Sequence, residues 1–220
     1  IRYALMNTAR ALEDETPFAQ GSGLIQTAAA WEHLNRFQGI PALDLFYTVN
    51  VRDGRYREGP GLYLRGSLPE GTRSYRVDMI PRFPDRFTHR DQYEFQSKLE
   101  IEATPAWIQA PEVLHLSNAG NRMRPEIDFD LLRESWDANL AHAMINLRLV
   151  EHPEAGPLIQ IPVTLIEGKS QFEAPAALPR TEFTVDASRS FRRFLTVPEG
   201  SDHLSLRLTR SPDENVRKLF

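Results

Sequence analysis

The apolar period of the chain changes once, at Pro41, and that change limits the folds open to it. Beyond Pro41, Leu43, Leu45, Tyr47, Val49 and Val51 alternate with Asp44, Thr48 and Asn50. A period of two puts alternate side chains on opposite faces of a pleated strand, so this run reads as a half-buried strand. The stretch YEFQSKLEIEA repeats the signal. Tyr93, Phe95, Leu99, Ile101 and Ala103 fall on one side, and Glu94, Gln96, Lys98, Glu100 and Glu102 on the other. The same reasoning predicts strands over 75–80, 113–116, 123–129, 141–150 and 158–166, with a helical turn within 130–139. Asp53-Gly54 and Glu58-Gly59-Pro60-Gly61 supply turn chemistry between runs. Short strands at this spacing, without helical crossovers, argue a mainly β fold: an antiparallel sandwich of the fibronectin or immunoglobulin-like kind.

Ahead of Pro41 the period is helical. Ile1, Leu5, Thr8, Ala9 and Leu12 recur at helical spacing, and Glu13-Asp14-Glu15-Thr16-Pro17 ends that run. A second helix is expected from Thr27 to Phe37, with Leu24, Ala28, Trp31 and Leu34 as its apolar stripe and Thr27 as its cap. Gly39 and Pro41 stop it. At the other end, 168–180 has the alanines and prolines of a linker. Runs beginning at Phe183 and a return strand through Leu204, Leu206 and Leu208 form a terminal β-hairpin. Two strands do not stand alone in water, so this hairpin belongs to the main fold or to a further domain. The expected division is 1–40, 41–170 and 171–220.

Composition narrows the function classes. The 220 residues carry a net charge of −4, and Arg192-Arg193 is the densest basic pair, so no nucleic-acid footprint is indicated. There is no cysteine, which removes disulfides and thiolate metal sites and fits a reducing compartment. A cytoplasmic location is the expectation, with an exported bacterial protein as the alternative. No apolar run approaches the roughly 20 residues of a membrane helix. Ile1 already lies inside a helical pattern, from which an excised segment is expected.

No catalytic constellation is visible. Six histidines are present, none with a ligand neighbour at helical or strand spacing. His142 shares the polar parity of its strand with Asn146 and Arg148 and is expected to be solvated, as are His33, His89, His115, His152 and His203. Ser22 lies between Gly21 and Gly23, whereas a nucleophile elbow places each glycine two residues from the serine. It is a turn. Glu100 and Glu102 read as a solvated sheet face, and Trp107 as a plug for the end of a sandwich core. Tyr47, Tyr63 and Trp136 complete the aromatic residues considered for a sugar platform. The glycine turns lack phosphate-loop context. No catalytic, cofactor-binding or metal-binding residue is assigned, and no cofactor is expected.

The opening stretches IRYALMNTARAL and PFAQGSGLIQTAAAWEHL nevertheless resemble the end of the subtilisin-like serine peptidase domain. Arg2, Ala4, Leu5, Asn7, Thr8, Ala9, Gly21, Gly23, Leu24, Ala30 and Trp31 stand where that family's closing helices place such residues. GLYLRGSLPE, ATPAWIQAPEVLHLSNAGNRMRPEIDFDLLRES, AGPLIQIPVTLIEGKS and FRRFLTVPEGSDHLSLRL follow in the order seen in the tripeptidyl-peptidase II type. The resemblance implies the closing helices of a peptidase domain, then a fibronectin-like sandwich, then the first strands of a jelly-roll-like domain. It also implies that the catalytic Asp, His, oxyanion Asn and Ser lie upstream, so this chain alone cleaves nothing. The expected partners are the upstream peptidase domain of the same parent and, in a homo-oligomer, further copies of it. Nucleic acid and membrane are not expected as partners. The alternative reading is a free-standing sandwich that binds carbohydrate or peptide.

Overall fold

Alternating runs of the sequence become strands whose apolar sides face one another across a sandwich. The computed structural model describes residues 1–12, 20–52, 58–134, 140–167 and 200. The longest strands are β11 (Leu140–Leu149) and β12 (Pro157–Ile166), a hairpin pair with Ile145 opposite Ile161 and Leu147 opposite Ile159. On its other side β11 pairs with β6 (Gln96–Thr104), and β6 with β8 (Val113–Ser117). The short strand β3 (Leu62–Arg65) closes this five-stranded sheet by pairing with β12. That one ladder is parallel, where the others are antiparallel.

A second sheet of four strands has the order β2-β1-β5-β9. Its members are β1 (Phe46–Arg52), β2 (Glu58–Gly59), β5 (Arg76–Arg82) and β9 (Asn121–Met123). A small third sheet joins β4 (Thr72–Ser74), β10 (Glu126–Asp128) and β7 (Ile108–Gln109). Val51 and Val77 from the four-stranded sheet, Ile145, Ile161 and Val163 from the five-stranded sheet, and Ile127 from the third line one apolar space. Leu45, Met79, Leu99, Leu147 and Leu165 are buried in the same core. Trp107 is buried there too, as expected of a core plug.

Prolines within strands sit where a missing N–H does no harm. Pro162 lies just before Val163, and Leu62↔Val163 is the first register pair between β3 and β12. The chain enters β3 through Gly61, where a Cβ would lie 2.6 Å from the Pro162 ring. Glycine is what lets the two backbones approach.

Several expectations need correction. The first helix, α1, covers only Arg2–Asn7, because Thr8 caps it and Arg10 turns to bridge Leu24. The second, α2, covers Thr27–Arg36, but Gln26 is its N-cap, Thr27 is its first helical residue, and no side-chain hydrogen bond caps it. Residues Pro41–Asp44 form a 3₁₀ turn, so the first strand starts at Phe46. Tyr93 and Glu94 belong to a helix, α3 (His89–Glu94), and Tyr93 is exposed. There the Thr88 hydroxyl accepts from the Asp91 amide at 3.2 Å, and the Asp91 carboxylate accepts from the Thr88 amide at 2.8 Å. This reciprocal cap nucleates a turn that overrides the alternating pattern until Phe95. The helical turn expected after residue 129 is α4 (Phe129–Glu134), anchored by buried Phe129 and Leu132. Trp136, the linker and the terminal hairpin, His203 included, lie outside the described residues apart from Gly200.

The core assignment makes a quantitative prediction. Replacing the fully buried Leu147 by alanine should cost about 3 kcal/mol in urea unfolding, from lost apolar transfer and the cavity left behind. Lys98→Ala on the exposed side of β6 should change stability by less than about 0.5 kcal/mol.

Candidate functional site

Helices α1 and α2 form a unit of their own, tied together by backbone. The Arg10 amide donates to the Leu24 carbonyl at 2.9 Å, and the Leu24 amide donates to the Arg10 carbonyl at 2.8 Å. Gly23 has φ +104°, and a Cβ there would stand 2.4 Å from the Arg10 oxygen, so only glycine fits the close approach.

This unit grips the turn between β11 and β12. The Asn7 amide nitrogen donates to the carbonyls of Ala155 at 2.7 Å and Pro157 at 3.1 Å. His33 Nε2 lies 2.8 Å from the same Ala155 oxygen, and because a carbonyl only accepts, Nε2 must carry the proton. Ala155 is fully buried under these contacts. Gly156, at φ +79°, leaves room for Asn7; a Cβ there would come within 2.7 Å of the Asn7 amide carbon. Buried Ala4, Ala30 and Phe37 supply the apolar part of the junction. The Phe37 ring packs 4.7 Å from the His33 ring.

A second junction involves phenols. The Tyr3 hydroxyl donates to the Leu45 carbonyl at 3.1 Å, and the Tyr47 hydroxyl to the Ala42 carbonyl at 2.9 Å. Burial pushes the Tyr3 hydroxyl up to about 12, with the Arg2 charge opposing it more weakly. Burial, reinforced by Tyr3, pushes Tyr47 well above the usual tyrosine range.

Three large apolar side chains are exposed on α2 and the segment leading into it. Leu24 is 50% exposed, Ile25 58% and Trp31 64%. Of the apolar stripe read on α2, Leu24, Ala28 and Trp31 are exposed and Leu34 is half-buried. The buried side of α2 instead carries Ala30, half-buried His33 and, at its C-cap, Phe37, and of these His33 reaches the turn of the sandwich.

The residues weighed for chemistry are scattered. Ser22 is exposed in its turn. Glu102 pairs with Arg148 at 3.2 Å across β6 and β11, while Glu100 is exposed. His152 is 3.8 Å from Glu154, His89 and His115 are exposed, and Tyr63 is exposed on β3. His142 is half-buried rather than simply solvated, and that burial lowers its pKa. His33, also expected to be solvated, is the exception that touches something specific. Its only sequence signal is its position three residues after Ala30 and four before Phe37, which share its helix face. Among the described residues no three His, Asp or Glu side chains are placed to hold a metal ion, and no helix is long and apolar enough to cross a membrane.

Comparison with known proteins assigns the sandwich. Residues 46–166 match the family described as Tripeptidyl-peptidase II, first Ig-like domain. The chain belongs to that family. Tripeptidyl-peptidase 2 of Arabidopsis thaliana is 25% identical over 229 residues, covering 100% of this chain and 16% of the relative. Tripeptidyl-peptidase 2 of Drosophila melanogaster is 27% identical over 226 residues, covering 98% of this chain and 15% of the relative. A crystal structure of tripeptidyl peptidase 2 superposes with a TM-score of 0.68 at 25% identity, covering 79% of this chain and 14% of that one. The chain thus spans about one sixth of the length of the curated relatives it matches. Those alignments include α1 and α2, which lie ahead of the residues matched by the Ig-like family.

Two predictions follow from the junctions. Asn7→Ala should cost about 1–3 kcal/mol locally, because two carbonyls lose their donor. Faster amide exchange in 1–12 and 20–37 with unchanged protection in β6, β11 and β12 would show it. In alkali, a phenol with a raised folded pKa adds stability that is full below its unfolded value, about 10, and is lost as pH rises through the folded value. Stability of the wild-type chain should therefore fall from about pH 10 upward, reaching through about 12 for Tyr3. The Tyr3→Phe/Tyr47→Phe double variant should lose that slope in urea titrations.

Proposed function

We propose that this chain is a non-catalytic scaffold segment of a subtilisin-like serine peptidase of the tripeptidyl-peptidase II type. In this reading a peptidase domain of the same parent carries the nucleophile and base and rests on the outward face of α1 and α2. The observation that carries the reading is the exposed set Leu24, Ile25 and Trp31 on a helix pair whose other side is bolted to the sandwich. Large apolar side chains left exposed close together in the chain are candidates for an interaction surface. The motif resemblance of 1–37 to the closing helices of a peptidase domain, and the names of the relatives aligned across it, support the identity of the partner.

The parent's activity in this reading is hydrolysis that releases tripeptides from free N-termini, and assembly into homo-oligomers belongs to the same proposal. The role of the present residues is mechanical. Asn7 and His33 transmit the position of the sandwich to the helices, and the helices hold the domain above them.

The parent open reading frame provides the test. A serine-directed fluorophosphonate should label the parent at a serine outside these 220 residues and leave this chain unlabelled. Trp31→Asp in the parent should lower hydrolysis of a tripeptide amide at least about tenfold, since a charge in a desolvated apolar contact costs several kcal/mol. Labelling of Ser22 or any other serine of this chain, or full parental activity with aspartate at position 31, would overturn the reading.

A further inference from the structure

The outer face of the four-stranded sheet carries an excess of guanidinium groups around a small apolar ledge. Along β5 the outward residues are Arg76, Asp78, Ile80 and Arg82. Register places Arg52, Asn50, Thr48 and Phe46 of β1 opposite them in that order. On the other side Arg122 of β9 stands opposite Asp78. Two of the arginines converge closely on one carboxylate. Arg76 Nε and Arg122 Nε each lie 2.7 Å from an Asp78 oxygen, one on Oδ2 and the other on Oδ1, and Arg52 Nε is 3.7 Å away. Arg82 Nε donates to the Thr48 hydroxyl at 2.9 Å. Glu58 of β2 stands opposite Arg52 in register. Among the described outward residues of β1, β5 and β9, Asp78 is the one carboxylate set among Arg52, Arg76, Arg82 and Arg122.

The charge is out of keeping with the chain as a whole, whose net charge is −4. Burial alone would raise the Asp78 pKa, but hydrogen bonds and charge from Arg76 and Arg122 outweigh it and hold the carboxyl below its usual range. Asp78 therefore stays ionised and holds two guanidinium groups by their Nε edges. The Nη nitrogens of Arg76 and Arg122 have no hydrogen-bond partner among the described residues. A guanidinium already oriented through one edge loses little further rotamer freedom when its other edge takes up a second carboxylate. Ile80, between the charged ends, is 38% exposed, and Phe46, beside Arg82, is 56% exposed.

We propose that this face docks a protein segment in which carboxylates flank an apolar side chain. The carboxylates would meet Arg76 and Arg122 at one end and Arg82 at the other, with the apolar group on Phe46 and Ile80. Charge complementarity selects an acidic partner. The apolar ledge favours protein over nucleic acid, since a phosphate backbone gains nothing from Phe46 or Ile80. Alternate residues of a strand are about 7 Å apart, so the two basic ends lie roughly 20 Å apart, the reach of six extended residues. The proposal stands apart from the peptidase reading, because it concerns a different sheet face and its failure would leave the helix surface untouched.

The test uses the full chain, isotope-labelled for amide NMR, and the probe peptide Glu-Glu-Ser-Leu-Ser-Glu-Glu. The expected result is saturable shifts in β1, β5 and β9, absent with the all-glutamine peptide and weakened about tenfold or more in 0.5 M salt. Arg76→Gln/Arg122→Gln should weaken binding about tenfold or more, and Arg82→Gln, which leaves Asp78 and its partners intact, severalfold. Arg148→Gln, on the other sheet, should have no effect. Shifts elsewhere, no shifts at all, equal binding of the glutamine peptide, or tighter binding of an oligothymidylate at the same face would overturn the proposal. Unchanged affinity in Arg82→Gln together with the Arg76/Arg122 variant would do the same.

Discussion

The pairing of β11 with β12 holds the rest of the molecule in place. These two strands run in register over most of their length and form the middle of the five-stranded sheet. Ile145, Leu147, Ile161 and Val163 project from them into the core. Their connecting turn exposes the backbone carbonyls that Asn7 and His33 seize. At the far end the Ile166 carbonyl accepts from Gly66, and the Glu167 carboxylate accepts from the Leu68 amide at 3.2 Å. Arg133 reinforces that corner by donating to the carbonyls of Leu68 and Pro69. Sheet, helices and loops thus meet on a single hairpin, whose formation is dominated by local contacts joined by a short turn.

What was legible in the residues follows the strength of the periodic signal. In β6 and β11 apolar and polar side chains alternate over nine or ten residues and the inward parity is the one observed, whereas β12 is buried on both faces. Tyr93 failed because a four-residue cap, Thr88 to Asp91, competes locally with a longer pattern, and the local hydrogen bonds win at the strand's end. The parallel strand β3 carries no separate signature, since period two does not distinguish the direction of a neighbour.

The helices show a different limit. On α2 the bulkiest apolar residues mark a stripe in need of a partner, and in the structure Trp31 of that stripe is exposed while the buried side carries Ala30 and Phe37, with His33 reaching the turn between β11 and β12. Polar His33 fits there because the surface it meets is a turn carbonyl, which rewards a donor more than a bulky hydrocarbon. Size and apolarity along a helix measure how much surface could be covered; they do not say by what. The family match covers the sandwich, and the longer alignments run through the helices as well.

The turn at Gly156 links two distant positions of the chain. Its left-handed backbone and the lack of a side chain leave the volume that the Asn7 amide fills. A homologue that placed a Cβ there would have to shrink or move the residue at position 7, and one that lost the asparagine would free the turn to accept other residues. Across relatives these two sites should therefore covary, so that a sequence record of the contact survives where overall identity has drifted to a quarter.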